Sequence, residues 1–241
     1  MIRLFVTDQM ETGREVGLSE GQAHYLVDVM RLTGGEEVLA FNGRDGEWRS
    51  RLSRAARRAW VLVPEALSRQ QAAGPDLDLL VALVRRPRLE TIVEKAAELG
   101  VRRVRLLTTE RTGPGRANMG RLEAIATEAA EQTGRLDVPK ILPAARLKEI
   151  LSAWSGERRL MFCDESGAAQ RALEALGSAQ GGSWGILIGP EGGFSPAERA
   201  RIRAVPGVAP VGLGPRILRA DTAAVAALAL WQAALGDWRG A

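Results

Sequence analysis

The spacing of hydrophobic positions along the chain changes near residue 70. Before that point, short apolar runs separated by turn residues predict four strands. They are Arg3–Val6, Glu37–Phe41, Glu47–Leu52 and Trp60–Val63. Ser19 and Gln22 have the spacing of a capping box, which predicts a helix that runs to about Leu32. We therefore expect a small β-rich domain over residues 1–70, followed by a linker of small and polar residues that ends at Pro75.

After the linker, predicted strands alternate with predicted helices. The strands are Leu77–Val84, Val101–Leu107, Leu160–Cys163, Trp184–Ile188 and Val208–Gly212. Apolar residues at helical spacing and capping residues predict the helices. These are Leu89–Leu99, Leu122–Ala129, Ala168–Leu176, a helix that begins at Ser195 and Pro196, and a last helix that is capped by Asp221 and runs to about Leu235. The alternation predicts an α/β domain with a mostly parallel sheet over residues 75–241.

The last predicted helix is apolar around nearly its whole circumference, from Ala223 to Leu235. Such a helix must be buried on all sides. A dimer interface would achieve that, and so would a deep position within the chain. We favour the dimer.

Two loops at the ends of predicted strands carry the candidate chemistry. Gly189–Phe194 has three glycines within five residues, so its backbone can approach a ligand closely, although an ordinary tight turn has the same composition. Leu213–Ala220 contains Ile217 and Leu218, which could line a pocket for a flat base such as adenine or could pack into the core. Ligands of parallel sheets bind beyond the carboxyl ends of the strands, where both loops lie.

Composition permits an anionic partner and limits the available chemistry. The chain has 33 Lys and Arg against 29 Asp and Glu, and all but three of the cations are arginine, either through a compositional bias or to bind phosphates. Cys163 is the only cysteine, which excludes a disulfide framework and a Cys-rich zinc site. His24 is the only histidine, which leaves almost no material for His-based triads and metal clusters. We expect Cys163 to be a small core residue in a cytoplasmic protein, without a metal or a membrane span.

The two loops resemble the signature of the RsmE family of 16S ribosomal RNA uridine N3-methyltransferases, which belong to the SPOUT class. Four further segments resemble family blocks: Ala23–Arg31, Glu94–Val101, Glu110–Thr112 and Glu131–Arg135. This chain departs mildly from the family pattern, with Met30 in place of Leu, Ala97 in place of Thr and Asp221 in place of Glu. The resemblance covers essentially the full chain.

The resemblance implies a SPOUT-type trefoil-knotted sheet over residues 75–241 and a PUA-like, RNA-binding β-barrel over residues 1–70. It also implies S-adenosyl-L-methionine as cofactor, 16S ribosomal RNA or the small ribosomal subunit as substrate, and a homodimer. The positions expected around the cofactor are Leu187, Ile188, Gly189, Pro190, Glu191, Gly192, Gly193, Leu213, Gly214, Pro215, Ile217, Leu218 and Thr222.

Catalytic and RNA-binding residues are assigned on the same basis. Arg219, just past the second loop, would favour a deprotonated uracil, and Glu191 would bind the cofactor or help remove a proton. The RNA-binding candidates are Arg3, His24, Arg31, Lys95, Arg111 and Arg135, and Arg85 and Arg86 are further candidates on the same ground of charge. An arginine cluster adds Arg49, Arg51, Arg54, Arg57 and Arg58.

Three other functions are compatible with parts of the sequence. A SPOUT methyltransferase could act on transfer RNA or on a ribose hydroxyl. A ribosome-assembly factor could bind RNA without catalysis. A nucleotide-dependent enzyme could use the glycine-rich loop for phosphate, but Pro190 and Glu191 suit phosphate poorly and no Walker-type lysine follows.

Overall fold

The computed structural model describes residues 1–56, 59–113, 115–165, 169–179 and 181–240, and its contacts divide the chain into two units. The first unit contains Met1–Ala73 together with Ala130–Val138, and the second contains Gly74–Ala129 and Pro139–Ala241. The sequence pattern marks the break near residue 74. It gives no sign that Ala130–Val138 belong with the first unit, because no contact between distant segments is visible in local spacing.

The first unit is a five-stranded sheet with one short helix. Its strands are β1 (Arg3–Phe5), β2 (Val16–Gly17), β3 (Glu37–Phe41), β4 (Glu47–Ala56) and β5 (Ala59–Arg69). The order is β1-β3-β4-β5-β2, in which β1 pairs with β3 in parallel and the other pairs are antiparallel. Alternating apolar side chains fill its core, among them Leu26, Val38, Leu52 and Leu62. The predicted small β-domain is confirmed.

The helix of the first unit is shorter than its pattern predicts. Helix α1 (Glu20–His24) begins at the capping box of Ser19 and Gln22, as expected. A π-helical turn (Tyr25–Val29) follows directly. The chain then leaves the helix at Arg31, whose φ of 61° lies in the left-handed region that ends helices.

The second unit has a seven-stranded sheet in which every strand pair is parallel. Its strands are β6 (Leu77–Ala82), β7 (Arg103–Thr108), β8 (Lys140–Arg146), β9 (Arg159–Cys163), β10 (Gln170–Arg171), β11 (Trp184–Ile188) and β12 (Val208–Gly212). Their order is β10-β12-β9-β11-β6-β7-β8. Every residue of the central strands β6 and β11 is buried, which explains their mostly apolar sequences. The exception is Asp78 in β6, whose carboxylate pairs with Arg103 and Arg105.

Six helices accompany this sheet in the described residues. They are α2 (Arg86–Glu98), α3 (Met119–Thr133), α4 (Leu147–Ser152), α5 (Ala172–Gly177), α6 (Pro196–Arg203) and α7 (Ala220–Leu235), and a 3₁₀ turn (Asp237–Gly240) follows the last. The last four residues of α3 are grouped with the first unit. The predicted α/β fold with a parallel sheet is confirmed. Strand β8 and helix α4 are absent from the sequence prediction, and the predicted start of α5, Ala168, lies outside the described residues.

The prediction that Asp221 caps the last helix is wrong. Arg219 is the N-cap residue of α7, with φ −68° and ψ 154°, and its side chain makes no capping hydrogen bond. Asp221 is already inside the first helical turn, where its Oδ1 accepts a hydrogen bond from the Thr222 N–H at 3.1 Å. A carboxylate there still interacts favourably with the positive end of the helix dipole.

Helix α7 is not buried on all sides within the chain. Ala224, Ala227, Leu228 and Trp231 are buried, and the helix packs on α2 and α5. Val225, Ala226, Ala229 and Leu230 are only half-buried. An apolar stripe of α7 therefore remains partly exposed in a single chain.

Among the described residues, the helices are too short or too polar for a transmembrane segment.

Candidate functional site

The two loops of interest lie at one edge of the parallel sheet. Strands β11 and β12 both pair in parallel with β9, so the carboxyl ends of all three strands point to the same edge. Only β9 separates the two outer strands, and neighbouring strands are about 4.8 Å apart. Residues Gly189–Phe194 and Leu213–Arg219 thus begin about 10 Å from each other, on either side of the end of β9.

Glycine is required in the first loop because side chains crowd its backbone. A Cβ at Gly189 would lie 2.8 Å from the ring of Phe194, which is fully buried. Gly193 has φ +65°, and a Cβ there would overlap the carboxylate of Glu165. The Gly193 N–H donates to the Pro190 carbonyl at 2.9 Å, which closes a tight turn around Glu191 and Gly192. Three glycines therefore give the loop a narrow, exposed main chain.

The first loop is joined to helix α6 by a buried carboxylate. Ser195 caps α6 together with Glu198, as the sequence predicts. Glu198 is buried, and its two oxygens accept hydrogen bonds from the backbone N–H groups of Ser195 and Glu110, both at 2.9 Å. One side chain thereby fixes the loop after β11 relative to the loop after β7.

Two arginines contact the tip of the first loop. Arg88 Nη1 lies 2.5 Å from Glu191 Oε1, and Arg111 Nη1 donates to the Gly192 carbonyl at 3.1 Å. A cavity of about 400 Å³ adjoins this tip and is lined in part by Pro190, Glu191 and Arg111. Arg88 is absent from the sequence prediction. Arg88 lies in the first turn of α2, which follows β6, and β6 is the neighbour of β11 in the sheet. The sequence shows its position in the helix but not the neighbouring strand.

The second loop leaves a large apolar side chain in water. Ile217 is 85% exposed, whereas its neighbour Leu218 is half-buried. Gly214 has φ +112°, and no atom lies within 4 Å of the position where its Cβ would be. Within the described part of the chain, the N–H groups of Gly214 and of residues 216–218 donate to no backbone carbonyl, and Pro215 has no N–H. An apolar surface beside free main-chain donors fits a flat, polar-edged ring such as adenine.

The other predicted cofactor residues reach this edge in different ways. Leu187 and Ile188 are buried in the sheet core, so only their main-chain atoms can contact a ligand. Leu213 is half-buried, and Pro215 and Thr222 are exposed. Arg219, the predicted catalytic cation, is exposed at the N-terminus of α7.

Asp164 and Glu165 form an acidic pair directly after β9 that is not among the residues predicted from the sequence. Asp164 is buried, and its carboxylate accepts a hydrogen bond from Arg203 Nη2 at 2.6 Å. Glu165 pairs with Arg199, which also lies 3.8 Å from Asp164. These arginines belong to α6, so the cluster connects the end of β9 to the helix that follows the first loop. A carboxylate directly after a strand is the signal that could have revealed it.

Cys163 precedes this pair and is a buried free thiol, as predicted. Burial, with a smaller contribution from the charge of Glu165, raises the pKa of the thiol to about 12. The thiolate is the reactive form of cysteine, so Cys163 is inert near neutral pH.

Two predicted RNA-binding arginines are engaged inside the first unit. Arg3 is only 11% exposed, pairs with Glu47 at 2.7 Å and donates to the carbonyls of Ala130, Glu131 and Arg135. Arg135 is also 11% exposed and pairs with Asp137 at 3.0 Å. These contacts tie residues 130–138 to the sheet and argue against the RNA contacts that the sequence suggested.

The remaining RNA candidates are differently placed. His24 and Arg31 are exposed on the first unit, and His24 Nδ1 lies 2.8 Å from Asp28. Lys95 pairs with Glu94 and Glu98, whose hydrogen bonds raise its pKa. Arg111 is exposed at the first loop.

The arginines of the cluster are exposed where the structure describes them. Arg51 pairs with Glu65, and Arg54 lies over the ring of Trp60. Arg49 is exposed on β4. Arg57 and Arg58 lie outside the described residues.

No group of three or more potential metal ligands is found in the described residues.

Comparison with known proteins agrees with this geometry. A family profile described as an RNA methyltransferase domain matches residues 72–232, and one described as an RNA methyltransferase PUA domain matches residues 18–64. The ribosomal RNA small subunit methyltransferase E of Synechocystis is 32% identical over 94% of this chain and 76% of its own length. That of Rickettsia conorii is 26% identical over 94% of this chain and 93% of its own length.

Solved structures show the same fold over the whole chain. A ribosomal RNA small subunit methyltransferase E from Neisseria gonorrhoeae, bound to S-adenosyl methionine, has a TM-score of 0.86 at 26% identity and covers 99% of both chains. A methyltransferase from Legionella pneumophila in complex with the same cofactor has a TM-score of 0.87 at 27% identity, with 98% of both chains covered. The chain therefore belongs to the family of ribosomal RNA small subunit methyltransferases E.

Proposed function

We propose that this protein transfers a methyl group from S-adenosylmethionine to N3 of a uridine in 16S ribosomal RNA. The observation that carries the proposal is the pair of loops beside the end of β9, one with a narrow glycine backbone and the other with Ile217 exposed beside free amides. Solved relatives that share this fold bind the same cofactor.

The chain's own residues fit the cofactor through main-chain atoms and one apolar contact. Free N–H groups at residues 214 and 216–218 would hold the polar edge of the adenine, and Ile217 and Leu218 would cover its face. The turn at Glu191 and Gly192 would face the other side of the cofactor. When bound, S-adenosylmethionine supplies an electrophilic methyl group on a sulfonium centre.

Two side chains would prepare the uracil. Its N3 carries a weakly acidic proton and is a poor nucleophile until that proton leaves. Glu191, which Arg88 holds in place, would accept the proton. Arg219, exposed at the start of α7, would stabilise the negative charge that develops on the ring.

The proposal also covers the oligomeric state, the chain topology, the role of residues 1–70 and the location of the protein. The half-buried apolar stripe of α7 would be covered by the same helix of a second chain, as in a homodimer. The C-terminal part, residues 75–241, would thread as a trefoil knot, and residues 1–70 would act as an RNA-binding barrel. The protein would work in the cytoplasm on the small ribosomal subunit.

The decisive experiment incubates the protein and methyl-labelled S-adenosylmethionine with unmodified small subunits, free 16S RNA and transfer RNA. Digestion and mass spectrometry then identify the labelled nucleoside. We expect 3-methyluridine from 16S RNA. Label in transfer RNA or on a ribose would favour another SPOUT activity. RNA binding without cofactor binding in calorimetry would favour an assembly factor.

A further inference from the structure

The cavity beside the first loop has a composition that the cofactor loops do not account for. Its volume is about 400 Å³, within the range of small-molecule sites, which is about 300–1,000 Å³. Its walls come from the loop after β6 and the start of α2, from the segment before α3, and from Pro190 and Glu191. All of these segments belong to the second unit.

Positive charge predominates around the cavity. Four arginines and two glutamates line it. Both glutamates are already neutralised, because Glu90 pairs with Arg86 at 2.7 Å and Glu191 pairs with Arg88 at 2.5 Å. Three lining arginines have no carboxylate partner among the described residues: Arg85, Arg111 and Arg116.

Arg85 and Arg116 are the two free cations of the cavity. Both are exposed and make no side-chain hydrogen bond within the described chain, whereas Arg111 donates to the Gly192 carbonyl. Arg85 also precedes the first turn of α2 without capping it. The positive end of the helix dipole lies at the same place and adds to the field.

The remaining wall is apolar. Leu83, Leu89 and Leu122 are buried side chains that line the cavity. An apolar surface with guanidinium groups around it matches a nucleotide, whose base and ribose pack on the apolar part and whose phosphates pair with arginine. Such a pocket can accept a base only after the base has left its stack.

We propose that this cavity binds the target nucleotide of the RNA, with Arg85 and Arg116 on its flanking phosphates and Glu191 facing its base. Glu191 stands on the wall of the cavity and in the turn of the first loop, so a base in the cavity lies next to the methyl donor's site. This proposal rests on the proposed function and specifies where its RNA substrate binds. The alternative ligand of this cavity is the carboxylate of the cofactor, which would pair with only one of the two guanidinium groups.

The test uses a fluorescent single-stranded RNA with one uridine, and protein in which Arg85→Ala and Arg116→Ala are combined. The matched control combines Arg201→Ala and Lys148→Ala, which removes two exposed cations of the same unit that also lack a carboxylate partner among the described residues. Thermal denaturation confirms that both variants fold.

We expect the cavity variant to bind this RNA at least tenfold more weakly than the wild-type protein. The slope of log affinity against log salt should fall by about two, one for each lost phosphate contact. The control variant should keep the affinity and the slope. The dissociation constant for S-adenosylmethionine, from calorimetry, should change less than twofold in both.

Equal RNA affinity in the two variants would contradict the proposal that this cavity binds the target nucleotide. So would a large loss of cofactor affinity with RNA binding retained, because the arginines would then serve the cofactor. An RNA with 4-thiouridine in place of the uridine gives an independent readout, since irradiation should crosslink it to residues 83–90, 115–122 or 190–191. Crosslinks confined to other segments would contradict the proposal. If the wild-type protein binds and crosslinks as expected but methylates no RNA, only the proposed function fails.

Discussion

Arg88 and Glu191 form an ion pair of 2.5 Å although 103 residues separate them in the sequence. Arg88 lies in the first turn of α2 and Glu191 in the turn after β11, and the strands before these segments, β6 and β11, are neighbours. The two side chains are 23% and 40% exposed, so the pair contributes less than about 1 kcal/mol to stability. Its consequence is the orientation of Glu191 rather than the stability of the fold.

We predict that Arg88→Ala lowers the turnover number for methyl transfer about tenfold. The melting temperature should stay within about 2 °C of the wild type. Without its partner, the Glu191 carboxylate samples several rotamers and meets the uracil less often. Steady-state kinetics with saturating RNA measure kcat separately from KM. Arg88→Lys should recover part of the rate, because it keeps the charge but not the planar guanidinium.

Arg146→Ala provides the control for this variant, since it removes an exposed cation at the end of β8 that lies 4.0 Å from the carboxylate of Glu149. Its kcat should equal that of the wild type. Full turnover in Arg88→Ala would mean that Glu191 needs no positioning.

The exposure of Ile217 leads to a second prediction. Ile217→Ser should leave the free energy of unfolding unchanged, because the side chain is already 85% exposed. Burying an isoleucine side chain is worth about 1.5–3 kcal/mol. Because the cofactor would cover Ile217, the loss of this side chain should weaken S-adenosylmethionine binding by about tenfold or more. Calorimetry measures the dissociation constant and urea denaturation measures stability.

Leu173→Ser is the matched control, because Leu173 is 59% exposed on α5 and belongs to neither loop. It should alter neither quantity. A destabilised Ile217→Ser with normal cofactor affinity would assign Ile217 to packing and remove it from the cofactor site.

Local patterns were sufficient for the elements that frame the site. Trp184–Ile188 and Val208–Gly212 have the predicted bounds because both are short apolar runs that end at glycine-containing loops. Ser195 and Glu198 form the predicted capping box because its chemistry is confined to four residues. The RNA methyltransferase family was identified from the loop residues themselves, and the family profiles confirm it.

Long-range pairing could not be predicted in the same way. Arg3 was assigned to RNA because an exposed cation and an internally bonded cation look alike in sequence. Its partners, Glu47 and the carbonyls near residue 131, lie at least 44 residues away. The order β12-β9-β11, on which the site depends, is likewise set by contacts between distant strands. The ion pair of Arg88 with Glu191 could not be predicted for the same reason.

A third prediction concerns Arg219, which is exposed and makes no capping hydrogen bond. Arg219→Ala should lower kcat by about 10–100-fold, as expected for one lost electrostatic contact to a transition state, and should change the cofactor dissociation constant less than threefold. Arg216→Ala, an exposed neighbour in the same loop, is the control and should retain kcat. Parallel losses in both variants would indicate a general charge effect on RNA binding instead.

Asp76, which directly precedes β6, leads to a prediction about pH. Burial alone would raise its pKa, but hydrogen bonds from Arg158 and Ser183, both at 2.6 Å, and the charges of Arg158 and Arg102 outweigh burial and lower the pKa to about 2. A carboxyl whose pKa is lower in the folded state stabilises the fold above its ordinary value near 4. That contribution is lost as the pH falls from about 4 to about 2.

Asp76→Asn should therefore lower the free energy of unfolding at pH 7 by about 1–2 kcal/mol, a figure that allows for the partial exposure of the carboxylate. The difference from the wild type should shrink below about pH 4 and nearly vanish below about pH 2, because the wild-type carboxyl is then protonated and uncharged. Urea denaturation at several pH values measures it. Glu174→Gln, which removes an exposed carboxylate in an i,i+3 pair with Arg171, should show little difference at any pH. A deficit of Asp76→Asn that stays constant from pH 7 to pH 2 would mean that the side chain acts through shape and hydrogen bonding, not through its charge.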